Sequence, residues 1–331
     1  MQTRRFGRTN LDLSLLTFGC GAVGGLMTKG EPSDQDRAVA WARDNGINHF
    51  DTAPLYGNGA SEENLGRALG KDRDGIIIST KVRLAPTDRG NLNNAIRASI
   101  EASLKRLKQD SVDLFQIHNT LGSVAEGEVF TTDEVFDEVV PALEKLKQEG
   151  KTRFVGFTAN GETDAIHALL NSGHFDGAQI FYNILNPTAG EEMPETYPAQ
   201  NYRGALRVGT EHGVGSIGVR VLAGGALTGT EFRHPLGMQD VAPIGSGRDY
   251  ATDAERACRF QSLVDDGHAE NLVDLAIRYV ISNPLLTTTE IGIASLEEVQ
   301  AATAAINRGG LSDNALTELE NIRSSFAGEA R

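Results

Sequence analysis

Ile76-Ile77-Ile78-Ser79-Thr80-Lys81 is a short apolar and β-branched run that ends in a cation. Continuous rather than alternating hydrophobicity over a strand's length is what a parallel strand covered on both faces requires. Working outward, Ile47 to Asp51 reads as a preceding strand and Ser61 to Leu69 as the helix between the two. Downstream, Leu92, Ile96, Ile100, Leu104 and Leu107 recur at helical spacing and form one apolar stripe, and Val112 to His118 is the next strand.

The alternation runs the length of the chain. Leu16 to Gly19 is a first strand, followed by a helix capped by Ser33 and reaching Asp44. A helix with Pro141 in its first turn ends at Gly150. Strands are expected at Phe154 to Thr158, Gly177 to Tyr182, Gly215 to Val221 and Thr287 to Ile293. Helices are expected at Thr163 to Asn171, Arg203 to His212 and Ala269 to Asn283. Eight strand–helix units in 331 residues, joined by right-handed crossovers, point to an α/β fold, a (β/α)8 TIM barrel formed as one domain over residues 1–331. Gln2 to Phe6 and Leu11 to Leu15 add an N-terminal β-hairpin, and Leu311 to Phe326 an additional C-terminal helix after Leu296 to Asn307. A doubly wound sheet would need G-x-G-x-x-G after strand one, which is absent. Long loops at Asn119 to Asp133, Asn183 to Tyr202 and Gly229 to Asp266 all follow strands, so a barrel sets them on its catalytic face.

Composition narrows the function classes. A formal charge of -14 argues against nucleic acid as a partner, and no apolar run reaches the ~18 residues of a membrane helix. The first residues lack the apolar stretch of a signal peptide, and two cysteines, Cys20 and Cys258, make no disulfide framework, so a cytoplasmic setting is expected. Cys20 sits in an apolar segment and reads as packing.

Asp51, Lys81 and His118 end three successive strands, and Tyr56 follows the first of them in Phe50-Asp51-Thr52-Ala53-Pro54-Leu55-Tyr56-Gly57. Strand ends of a barrel converge on one mouth. Hydride transfer to a carbonyl leaves an alkoxide in need of a proton, which a phenol can give and, in reverse, remove. An ammonium ~4 Å from the phenol, at an effective dielectric of ~20, contributes about 4 kcal/mol. At about 1.4 kcal/mol per pH unit, Lys81 would bring Tyr56 toward neutrality. Asp51 would hold Lys81 charged, and His118 would orient the carbonyl oxygen. The alternatives weighed are a non-catalytic nicotinamide-sensing subunit of a larger assembly and a lyase forming a Schiff base on Lys81.

Together with Arg5-Phe6-Gly7-Arg8-Thr9, Gln116-Ile117-His118, Gln179 to Asn183 and Leu222 to Gly229, these residues resemble the aldo-keto reductase superfamily. Its Asp–Tyr–Lys–His tetrad matches Asp51, Tyr56, Lys81 and His118, and the aldose-dehydrogenase-like branch is the most similar. The resemblance implies a (β/α)8 barrel, NAD(P)(H) bound across the strand C-termini, direct hydride transfer without metal, and a small carbonyl or sugar substrate. It implies that Gly21, Thr158, Gln179, Arg220, Leu222, Gly224, Gly292, Ser295 and Glu298 contact the cofactor. NADP(H) is the family's usual cofactor, but Ala294 stands where Arg or Lys would grip the 2′-phosphate, and Glu298 and Ala302 replace neutral polar residues. Acceptance of NAD(H) is therefore expected. The polar loops Asn183 to Tyr202 and Gly229 to Tyr250 suggest a hydroxylated substrate.

Overall fold

In the computed structural model, which describes all residues except Asp72, Glu231, Ala330 and Arg331, eight parallel strands close into a barrel. We number them β1 (Leu16–Gly19), β2 (His49–Asp51), β3 (Ile77–Val82), β4 (Val112–Ile117), β5 (Thr152–Thr158), β6 (Gly177–Phe181), β7 (Gly215–Val219) and β8 (Thr288–Gly292). Each pairs with its neighbours in sequence, and β8 returns to β1 through Thr289↔Leu16 to Gly292↔Gly19. Helices cover the outer faces, so both sides of β3 are buried, as its composition demanded. The helix Leu92–Leu107 turns Leu92, Ile96, Ile100, Leu104 and Leu107 inward, each buried side chain contributing about 2 kcal/mol.

The interior alternates as a two-residue pleat requires. Thr17, His49 and Thr288 meet inside the barrel through hydrogen bonds of Thr17 Oγ1 with His49 Nδ1 (2.7 Å) and Thr288 Oγ1 (2.8 Å). The next inward level of β2 and β3 carries Asp51 and Lys81. At the opposite end the hairpin of Thr3–Arg5 and Asp12–Ser14 forms a floor. Phe6 closes that floor so tightly that a Cβ on Gly177 or Gly215 would lie 2.4 or 2.3 Å from its ring. Leu11, Leu13, Ile77, Leu114 and Ile217 complete this lower cluster.

Several boundaries differ from the sequence reading. Ser33 caps nothing. The helix is Pro32–Asp44 with Glu31 at its N-cap, because Pro32 supplies a first-turn residue that needs no hydrogen-bonded N–H. The segment after β4 carries short paired strands, Thr120–Gly122 and Val129–Thr131. Helical structure then begins at Thr132, where Thr131 and Glu134 cap each other. The segment after β7 is not loop throughout. Asp249 accepts the Thr252 N–H and starts a helix Tyr250–Cys258, followed by Gln261–Asp265. The terminal helices are Leu296–Arg308 and Asp313–Ser324.

Candidate active site at the barrel mouth

Lys81 is the centre of the mouth. It is fully buried and donates to Asp51 Oδ1, to Thr52 O (3.0 Å) and to Tyr56 Oη (3.2 Å). Asp51, equally buried, also accepts from Ser79 Oγ (2.5 Å) and Gln116 Nε2 (3.1 Å). Burial alone would raise the Asp51 carboxyl, but the Lys81 ammonium and the hydrogen bonds from Lys81 and Ser79 outweigh it and hold it below the usual carboxylate range. Burial likewise works against the Lys81 charge, and the charge of Asp51 reverses that, keeping the ammonium protonated beyond its ordinary range.

Tyr56 stands edge-on to His118, ring centroids 6.0 Å apart. The backbone of His118 is fixed by its N–H to Val82 O, and its Nδ1 is buried without a partner among the described residues. Burial, then the nearby Lys81 charge, lowers its ring to about 3, so a neutral imidazole faces the groove. The structure departs from the expectation for Tyr56. Burial pushes the phenol up to about 12, with Lys81 pulling it down and Asp51 and Glu290 pushing it further up. Desolvation exceeds the attraction of Lys81, and Tyr56 is a protonated acid at neutral pH rather than a near-neutral one.

A groove of about 860 Å³ leads away from these groups across the strand ends. Thr158 donates to Gln179 Oε1 (2.9 Å), and Gln179 Nε2 donates to Glu290 Oε2 (2.7 Å). Asn160 lines the groove but spends its amide on Thr120 Oγ1 (3.1 Å). Gly21 borders Tyr56, where a Cβ would sit 3.5 Å from the ring, and Leu222 lines the same wall. Arg220, held at φ 57, turns its guanidinium to Ala242 O (3.2 Å) at the groove's edge. Gly224 and Gly225 adopt φ 68 and 111, and a Cβ on either would lie 2.8 Å from a guanidinium nitrogen of Arg220 or Arg233. The left-handed turn is what favours glycine at both positions. Gly292 packs against Gly24, and the segment after β7 crosses the groove to reach the loop after β1 by Met238 N–H to Ala22 O (3.0 Å).

At the far end the helix Leu296–Arg308 closes on itself. Ser295 Oγ accepts the Glu298 N–H (3.4 Å), and Glu298 Oε2 accepts the Ala294 N–H (2.7 Å). A donor and a cap that an anion would use are already taken. Several polar residues of the long loops are engaged in packing. Asn186 and Thr188 fix their own loop, Asn183 donates to Arg220 O, and Ser246 donates to Asp253. Arg233, His234 and Tyr250 of the segment after β7 line the groove.

Glu290 escaped the sequence reading. Its signal was present in the two-residue period, which turns Thr288, Glu290 and Gly292 inward together on β8. Among the described residues no group of three His, Cys, Asp or Glu is placed to hold a metal ion, and no helix is long and apolar enough to cross a membrane. Cys20 is buried in the core, its thiol kept protonated by desolvation.

Residues 15–324 match the profile of the Aldo/keto reductase family. The chain is 29% identical to an L-galactose dehydrogenase of Arabidopsis thaliana over 97% of its own length and 94% of that protein. It is 33% identical to an NADH-specific methylglyoxal reductase of Escherichia coli, over 56% of the chain and 60% of that protein. The fold matches that of an aldo-keto reductase from Bacillus halodurans in its holo form at a TM-score of 0.73, with 24% identity, covering 100% of this chain and 98% of the other.

Proposed function

The chain belongs to the aldo/keto reductase family, and from that premise we propose that it interconverts a carbonyl and an alcohol or sugar hemiacetal, with Tyr56 as the general acid and base. The observation that carries this is the Lys81 ammonium, which touches Tyr56 Oη at 3.2 Å while paired with buried Asp51. The pair has a reason to exist at that depth only if a charge is needed there, since a buried ion pair contributes little stability by itself.

A nicotinamide dinucleotide, when bound, supplies or accepts the hydride. The groove fits such a group. The linked Thr158 and Gln179 side chains line the same groove as Tyr56, and Arg220 and the glycine turn at Gly224 and Gly225 offer it a cation and backbone. In reduction, Tyr56 Oη gives its proton to the developing alkoxide, and Lys81 stabilises the phenolate that remains. The neutral His118 ring supports a donor role toward the carbonyl oxygen. In oxidation Tyr56, which is protonated at neutral pH, must first give up its own proton, and the phenolate beside Lys81 then takes the substrate's.

For the cofactor we favour NAD(H). Ala294 offers no cation, and the Glu298 carboxylate occupies the N–H that a 2′-phosphate would seek. The NADH-specific relative is consistent with this. For the substrate, the L-galactose dehydrogenase relative supports oxidation of an aldose. The Lys81 lyase is disfavoured, because an amine held protonated by Asp51 is not a nucleophile. Two free cysteines support a reducing, cytoplasmic setting. Titrating NADH and NADPH by fluorescence, then assaying aldose oxidation with NAD⁺, tests the reading. Absence of dinucleotide binding would reject it.

A further inference from the structure

Glu290 is a carboxyl group that the proton transfer does not use. It stands on the groove wall two residues beyond Thr288, and its Oε2 accepts from Gln179 Nε2 at 2.7 Å. Room for it comes from the neighbouring strand, where a Cβ on Gly19 would already lie 3.2 Å from its Cγ. The groups facing it are Asp51 from β2, Lys81 from β3, Tyr56 from the loop after β2, and Cys20 after β1. Asp51 accepts from Lys81, Ser79 and Gln116, and the neutral Glu290 carboxyl also interacts with it. His49 and His118 are the other titratable rings of this interior.

We propose that Glu290 is a positioning residue whose charge selects the redox form of the bound dinucleotide, with its carboxylate favouring the oxidised form and its neutral acid showing no preference. This rests on the reading of Thr158 and Gln179 as the nicotinamide end of the groove. The oxidised ring carries a positive charge and the reduced ring does not, so a carboxylate one hydrogen bond from Gln179 distinguishes them by Coulomb attraction in a partly desolvated wall. Burial, with Asp51 adding and Lys81 opposing, pushes the Glu290 carboxyl up to about 8, so at neutral pH it holds a proton that a nearby cation can expel.

The linkage has a definite sign. A cation next to Glu290 lowers its pKa, so NAD⁺ binding releases a proton, and NAD⁺ affinity rises with pH until the free carboxyl has ionised near 8. NADH affinity stays level. In Glu290→Gln the amide still accepts from Gln179 but cannot ionise.

Calorimetric titration of the full-length protein with NAD⁺ and with NADH between pH 6 and 9, in two buffers of different ionisation heat, reads both affinity and proton release. For the wild type, NAD⁺ binding should tighten roughly tenfold for each unit by which the cation lowers the carboxyl's pKa, with proton release near pH 7 and NADH changing less than threefold. Both profiles should be flat in Glu290→Gln, and NAD⁺ should bind that variant more weakly at high pH. A flat wild-type NAD⁺ profile, or a pH dependence that survives in Glu290→Gln, overturns the role of Glu290. Failure of both nucleotides to bind overturns the cofactor reading instead. The wild-type proton release decides the matter even if the variant does not fold.

Discussion

Replacing Glu298 by Gln isolates one charge at the end of the groove where a 2′-phosphate would arrive. Glu298 caps Ala294 N–H at 2.7 Å, and the amide of Gln keeps that acceptor while removing the charge. A phosphate carries about −1.5 to −2 at neutral pH. At roughly 6 Å from the carboxylate, each unit of that charge costs about 3 kcal/mol at an effective dielectric of ~20 and about 0.7 kcal/mol in bulk water. Glu298 is exposed to solvent, which screens the charge and puts the net penalty between those limits, at ~2 kcal/mol or about 30-fold in affinity. Glu298→Gln should therefore tighten NADPH binding about 30-fold at low salt and less at high salt, because the repulsion is screened. NADH binding should move by less than threefold. Fluorescence titrations of both nucleotides at two ionic strengths measure this. The reasoning fails if NADPH affinity changes less than threefold at low salt, or if NADH shifts as far as NADPH does.

Tyr56→Phe removes the proposed proton donor while leaving the ring's packing, so kcat should fall by roughly 10² to 10⁴, and stopped-flow kinetics with unaltered NADH affinity would distinguish this from a folding defect. Phe6→Ala opens the barrel floor and should cost about 3–5 kcal/mol in urea unfolding, and a loss under about 1 kcal/mol would mean that the hairpin re-packs. Burial lowers the fully buried His49 to about 4, whereas an unfolded chain takes up that proton near 6.5. A depressed histidine gives stability that is full above ~6.5 and lost as pH falls, so unfolding at pH 4.5 should show a deficit of roughly 2–3 kcal/mol from this residue. His49→Gln should flatten that limb of the profile, and an equally steep limb in the variant would assign the loss elsewhere.

The barrel was legible because its strands announce themselves locally. Ile76 to Lys81 has to be a strand buried on both faces, and the Leu92–Leu107 stripe has to be a helix beside it. The meeting of Asp51, Lys81, Tyr56 and His118 followed from strand ends sharing one mouth. What escaped were effects that exist only once the barrel closes. Glu290 looked like an ordinary polar residue in Thr287-Thr288-Thr289-Glu290, and only closure of β8 onto β1 turns it toward Asp51. The acidity of Tyr56 is hidden from the sequence for a related reason. A charge partner can be seen in the sequence, but the loss of water around the phenol cannot, and that loss is the larger effect. The helix Tyr250–Cys258 was hidden inside a polar stretch, its Asp249 cap being the one local sign of it.

The pairing of β8 with β1 bears on how a ribosome must deliver this chain. Leu16 leaves the exit tunnel long before Thr289, its eventual partner. At 5–20 residues per second, roughly 14–55 s separate the two. Throughout that interval the outer edge of β1 has no strand beside it, and Phe6 waits for Gly177 and Gly215 before it can seat. An unpaired apolar edge is a template for association between nascent chains. The circular sheet thus trades a finished molecule without edges for a long apprenticeship in which the first-made strand is the last to be covered.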